Sequence, residues 1–168
     1  MNIEDQEAGK RALAAQVLRS WGSLRVRVSG TSMLPALWPG DILNIRSCNF
    51  EQTQCGELVL YSRDERFFVH RVVRKLHSSR ERLLITRGDC MSQDDPAVPE
   101  TNLLGRVIAI DRHDTILSPT NRPSLVHRIS ANALQRSEVF RNGVMRLRAC
   151  GRWISSRQGF SAFNGQWV

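Results

Sequence analysis

Residues 4–21 set Leu13, Val17, Leu18 and Trp21 at i, i+4, i+5 and i+8, the spacing of one helical face, and Gly22 follows as a stop. The texture then changes. Leu24-Arg25-Val26-Arg27-Val28 alternates apolar and basic residues, which predicts a strand. A turn-rich stretch from Ser29 to Gly40, with Gly30, Pro35 and Pro39, separates it from a short strand at 41–45. Further strands are predicted at 58–61, 67–73 and 105–110, and Leu83-Leu84-Ile85-Thr86 is expected to return antiparallel to 67–73. Beyond a Ser/Pro/Asn-rich linker at 118–123, Phe140, Val144, Leu147 and Ile154 fall on one side of a helical wheel. Arg141, Arg148 and Arg152 form a stripe beside them, which predicts a basic amphipathic helix over 137–156.

Short strands punctuated by turns predict a mainly β fold, a curled antiparallel domain with a short N-terminal helix and a C-terminal basic amphipathic helix. Three regions follow: a helix at 1–22, a β domain at 23–114, and a linker with basic helical tail at 115–168. A chain of 168 residues with 41% hydrophobic and 24% charged positions can bury a core, so wholesale disorder is excluded. No run approaches the ~18 apolar residues of a membrane-spanning helix, and the opening Met1-Asn2-Ile3-Glu4-Asp5 lacks the character of a signal peptide. The expected location is therefore cytoplasmic or peripheral to a membrane.

The formal charge of +8 is uneven. Residues 115–168 hold eight arginines against Glu138, a net +7, which leaves +1 for residues 1–114. A basic tail attracts nucleic acid, anionic lipid or an acidic partner. Aromatic residues do not interleave with these arginines before Trp153 and no recognition motif is present, so no specific nucleic-acid partner is expected. Cys48, Cys55, Cys90 and Cys150, with His77 and His113, lack ligand spacing, so neither a metal nor a cofactor is expected.

Three segments carry candidate chemistry. In Gly30-Thr31-Ser32-Met33-Leu34-Pro35, a serine beside a permissive glycine can present its hydroxyl at a rim near backbone N–H groups. In Val69-His70-Arg71-Val72, a neutral imidazole can take a proton from a serine near pH ~7. In Thr86-Arg87-Gly88-Asp89 through Asp94-Asp95, an acid set against His70 can fix its tautomer, although such clusters are also ordinary turns.

In this order the segments, with Gly40-Asp41, Gly56-Glu57-Leu58-Val59-Leu60-Tyr61 and Leu104-Gly105-Arg106-Val107, resemble the signal peptidase I family. The likeness is to the type found in archaea and the endoplasmic reticulum, and it covers about residues 26–110. The resemblance implies a serine endopeptidase with the curled β fold that the family shares with the self-cleaving repressors of the DNA-damage response. It implies Ser32 as nucleophile, His70 as general base and Asp95 as the third catalytic residue, counted from the Arg87-Gly88-Asp89 box. Asp89 and Asp94 stay as alternatives, and Asp89 and Thr31 are expected to support the site. The bacterial branch carries a lysine where His70 stands. The chain has only Lys10 and Lys75, and Lys75 is an odd number of strand positions from His70, hence on the other face. The implied partner is a peptide or protein with small residues at the cut, and Met33, Leu34 and Trp38 are the candidates for an apolar subsite. They are equally suited to plain packing.

Two features depart from the family. Its usual serine two positions before the nucleophile is Gly30 here, as in the repressors, so the oxyanion would rest on backbone N–H groups. The usual anchor before the nucleophile is not seen in the 31 residues preceding Ser32, and the 137–156 helix is a candidate for docking on a membrane surface. Competing expectations are a self-cleaving regulatory module, with Ala8-Gly9 as a candidate cut, and a catalytically degenerate peptide-binding domain.

Overall fold

The structure, a computed structural model, describes residues 3–64, 66–79 and 81–121. Among these residues one α-helix, α1 (Ile3–Trp21), precedes eight strands: β1 (Ser23–Arg27), β2 (Ile42–Ser47), β3 (Leu58–Arg63), β4 (Arg66–His77), β5 (Arg82–Arg87), β6 (Val98–Pro99), β7 (Leu103–Arg112) and β8 (Thr115–Leu117). All strand pairs are antiparallel, in the order β1-β2-β7-β3-β4-β5-β6, with β8 on β7. The mainly β expectation and its N-terminal helix are thus observed. The helix expected over 137–156 lies outside the described residues. Among those described, no helix is long and apolar enough to cross a membrane.

Side-chain alternation sorts the sheet into two cores. On β3, Leu58 and Leu60 face one way and Val59 and Tyr61 the other, and all four are buried. The first core joins Leu43 and Ile45 of β2, Leu104, Val107 and Ile110 of β7, and Met33 and Leu37 of the first long loop. Val26 of β1 and Phe67 and Val69 of β4 pack against it, so strands far apart in the sheet order share one concave face. Register shifts at Asn44/Ile45, Leu60/Tyr61 and Val72/Arg74 mark bulges, which add twist and let the sheet curl.

Helix α1 covers this concave face through Leu18 and Ala15. Its expected apolar stripe is only partly used: Leu18 is buried, while Leu13 and Trp21 are exposed, because the face that meets the sheet is centred on Leu18. Gly22 ends the helix at φ +72°, where its N–H donates to the Leu18 carbonyl (3.0 Å), a glycine C-terminal cap.

Two sheet edges stay open near the same place. β1 pairs only with β2 among the described residues, and β5 meets β4 only from Arg71 onward, which leaves Arg66–His70 without a partner on that side. Val72 donates to the Glu57 carbonyl toward β3 and accepts there from Gly56, so alternation turns the backbone groups of Phe67 and Val69 to the open side.

Candidate active site

Ser32 sits in the loop between β1 and β2, which is fixed on both sides. Met33 and Leu37 are sunk in the first core, Leu34 is fully buried beside Cys90, and the Ser32 carbonyl accepts from the Cys90 N–H (2.8 Å). Thr31 holds the turn through its carbonyl, which accepts from the Leu34 N–H (3.2 Å). His70 is on the stretch of β4 that pairs with β3 but not with β5, and it is 6% exposed. Asp95 follows β5 by a loop, and its N–H donates back to the Thr86 carbonyl (2.8 Å).

These three side chains meet. Ser32 Oγ lies 2.9 Å from His70 Nε2, and His70 Nδ1 lies 2.6 Å from Asp95 Oδ2. With Nδ1–H donated to the carboxylate, Nε2 presents its lone pair to the serine. Asp95 Oδ2 also accepts from Thr86 Oγ1 (2.7 Å) and the Tyr61 hydroxyl (3.1 Å). Burial alone would raise the Asp95 carboxyl. Hydrogen bonds from His70 and Thr86, the His70 charge and the Tyr61 hydrogen bond outweigh it, so the group titrates below the usual range and is ionised at neutral pH. Burial pushes the Tyr61 phenol up to about 12.

The other two candidate acids have cations of their own. Asp89 takes a two-pronged hydrogen bond from Arg71, Nε to Oδ1 and the second guanidinium nitrogen to Oδ2, both at 2.7 Å. Arg71 also donates to the Gly56 carbonyl (2.7 Å) and the Thr120 carbonyl (2.6 Å). Asp94 lies 3.2 Å from Arg74 and 3.4 Å from Arg87, near the surface. Asp89 is nonetheless tied to the serine loop, since its N–H donates to Met33 Sδ (3.4 Å). Lys75 is engaged elsewhere: its ammonium donates to the carbonyls of Phe50 (2.7 Å) and Thr53 (2.8 Å) and lies over the Phe50 ring.

A cleft of about 580 Å³ opens beside Ser32 and His70. The rims are the open edge of β1 and its extension (Arg27, Ser29, Gly30) and the open edge of β4 (Phe67, Val69). The floor is apolar: Val26, Val28, Leu37, Leu43 and Leu60. Of the three subsite candidates, Met33 lines this cleft. Leu34 and Trp38 do not; they pack together with Cys90 in a small separate cluster. The backbone N–H groups of Ser32 and Met33 donate to no protein acceptor among the described residues, which leaves them available beside the hydroxyl.

Tyr61 and Thr86 fall within the motif segments read from the sequence, but neither was given a role there. The available signal was chemical: Tyr61 is the one tyrosine of the chain, in an otherwise aliphatic buried strand, and a buried phenol requires a hydrogen-bond partner.

No protein-family model matches the chain. Similarity is found to the signal peptidase complex catalytic subunit SEC11 of several fungi, three of which illustrate its extent. That of Candida albicans is 38% identical over 81 residues, 47% of this chain and 48% of that protein. The Scheffersomyces stipitis protein is 37% identical over 81 residues, with the same coverage. That of Colletotrichum graminicola is 34% identical over 95 residues, 50% of this chain and 55% of the relative. The chain thus spans about half the length of the curated relatives it matches. With a mainly antiparallel β fold, these identities support a relationship between this chain and the signal peptidase I family.

Proposed function

We propose that this chain is a serine endopeptidase of the signal-peptidase type, which cleaves a leader or signal peptide after small residues. One observation carries the reading: the unbroken line from Ser32 Oγ through the His70 ring to Asp95, at 2.9 Å and 2.6 Å, on the wall of an open cleft. The name of the similar fungal proteins, a catalytic subunit of a signal peptidase complex, supports the substrate class.

In this mechanism a peptide lies extended between the β1 and β4 rims and pairs its main chain with their free groups. Ser32 Oγ attacks the scissile carbonyl carbon as His70 Nε2 takes its proton. Asp95 keeps Nδ1 protonated and stabilises the imidazolium. The negative carbonyl oxygen is held by the N–H of Ser32 and a neighbour. Collapse breaks the C–N bond, and the Nε2 proton goes to the leaving amine. Water then hydrolyses the acyl-enzyme with His70 again as base. Without a side-chain donor at Gly30, the oxyanion relies on backbone groups alone.

The test is covalent labelling by a fluorophosphonate, with cleavage of a leader peptide containing Ala-x-Ala as a second readout. Wild type is expected to be labelled and to cut, and Ser32→Ala to do neither. Equal labelling or cleavage by Ser32→Ala would overturn the reading.

A further inference from the structure

We propose that Tyr61 is a positioning residue of this site: its hydroxyl shares Asp95 Oδ2 with the His70 Nδ1–H, holds carboxylate and ring in line with Ser32, and tempers the negative charge that the ring senses. The inference rests on the Ser32–His70–Asp95 reading above and assigns a role to a residue outside that trio.

Packing alone would be met by phenylalanine. Tyr61 is fully buried, stacks on Phe68 (centroids 5.6 Å apart) and meets the His70 ring edge-on (6.2 Å), and none of these contacts needs an oxygen. Yet the phenol oxygen reaches Asp95 Oδ2 at 3.1 Å and stands 3.4 Å from His70 Nδ1. The shorter Nδ1–Oδ2 distance, 2.6 Å, gives the ring proton to the carboxylate, so the phenol proton also points to Oδ2. Thr86 Oγ1 closes on the same atom from β5 at 2.7 Å. Three donors therefore converge on one oxygen, while Oδ1 receives none among the described residues. A carboxylate held at one oxygen by three elements, β3, β4 and β5, has no freedom to rotate away from the ring.

Of the remaining charges nearby, the Arg63 guanidinium lies over Phe68, 4.7 Å from its centroid, where its charge favours the phenolate but is outweighed by burial; Arg71 and Asp89 close on each other; and Asp94 stands between Arg74 and Arg87. Arg66 sits at the cleft rim. The titratable groups in direct contact with the ring's Nδ1 side are Asp95 and Tyr61, and the phenol keeps its proton throughout the working range because burial disfavours the phenolate.

The sign of the effect follows. A donated hydrogen bond stabilises charge on Oδ2. Without it the oxygen is more negative toward Nδ1–H, the imidazolium is held more firmly, and the free base appears only at higher pH. Tyr61→Phe keeps the ring and deletes the donor. Fluorophosphonate labelling of Ser32 is followed from about pH 5 to about pH 9, and the low-field proton signal of the His70–Asp95 hydrogen bond is recorded by NMR. The expected result is an acid limb moved up by roughly 0.5–1 in pH, labelling near neutrality slowed about 3–10-fold, and a displaced proton signal. Thr86→Val is expected to act in the same direction, and it carries the test if Tyr61→Phe fails to fold. A superimposable pH profile, or a limb moved down, overturns the proposal. Absence of wild-type labelling, or equal labelling of Ser32→Ala, refutes the parent reading instead. The proton signal then decides the role of Tyr61 by itself, and an unmoved signal overturns it.

Discussion

Gly88 lies so close under Ser32 that a β-carbon on it would stand 2.7 Å from the Ser32 carbonyl oxygen and 3.2 Å from the Ser32 β-carbon. The backbone of one loop is thus packed directly against the carbonyl and β-carbon of the serine in another. Gly88→Ala is expected to push Ser32 off His70 Nε2, lowering fluorophosphonate labelling by at least ~10-fold and stability by about 1–3 kcal/mol. Labelling kinetics with a denaturant melt check both, and unchanged labelling would show that the loop shifts without cost.

In the proposed mechanism, Asp95→Asn removes the charge that keeps the ring in the productive tautomer. Labelling is expected to drop on the order of 10³–10⁴-fold with the fold retained. The same residue sets an acid limit. Its folded titration lies below the ordinary range, so its stabilising contribution is full above the unfolded value of ~3.9 and is lost as pH falls through the lower folded one. Wild type is expected to lose more stability than Asp95→Asn in that acid window, read by melts from about pH 6 down to about pH 2.5.

Tyr61 supplies the alkaline counterpart. Its phenol titrates near 12 in the folded protein against ~10 unfolded, so its contribution is full below ~10 and disappears between there and about 12. Since the chain has one tyrosine, near-ultraviolet phenolate absorbance follows this residue alone. A midpoint near ~10 in the folded protein would contradict its burial against Asp95.

Arg71 and Asp89 are each 9% exposed at the side chain and joined by two hydrogen bonds. Deleting one partner leaves a buried charge. Arg71→Ala is expected to cost about 3–5 kcal/mol in a denaturant melt, whereas breaking the exposed Arg74–Asp94 pair by Arg74→Ala is expected to cost under ~1 kcal/mol. Equal losses would refute the distinction.

Gly30 has open space where a β-carbon would go. Gly30→Ser is expected to fit without loss of stability and to raise acylation, by up to ~10²-fold if the new hydroxyl reaches the oxyanion. Leader-peptide cleavage rates read the gain, and a slower enzyme would argue that backbone donors already fill that role.

The strands were legible where alternation ran for several residues, as in Leu24–Val28 and Phe67–Val73. The two-residue β6 and three-residue β8 carry too little pattern to read. β8 also lies inside the segment expected to be linker, joined to β7 by a His113–Asp114 turn whose positive φ values (50° and 62°) ordinarily advertise themselves with Asn-Gly. Ser32, His70 and Asp95 were legible only through the family resemblance; single residues in loops and strands do not announce that they converge. The cleft was the least legible part. Leu34 and Trp38 neighbour the serine in sequence, but the floor is built from Leu43 and Leu60, which only the curl of the sheet brings there.

The two unpaired rims have a cost outside chemistry. A strand edge that accepts a guest chain offers the same ladder to a sibling molecule, which is the ordinary route to edge-to-edge clumping. Arg27 on one rim and Arg66 on the other put a like charge on each, while Arg25 is paired with Asp111, so two copies meeting rim to rim repel before their backbones can zip. Two guanidinium groups at the margins thus disfavour self-pairing without covering the ladder itself.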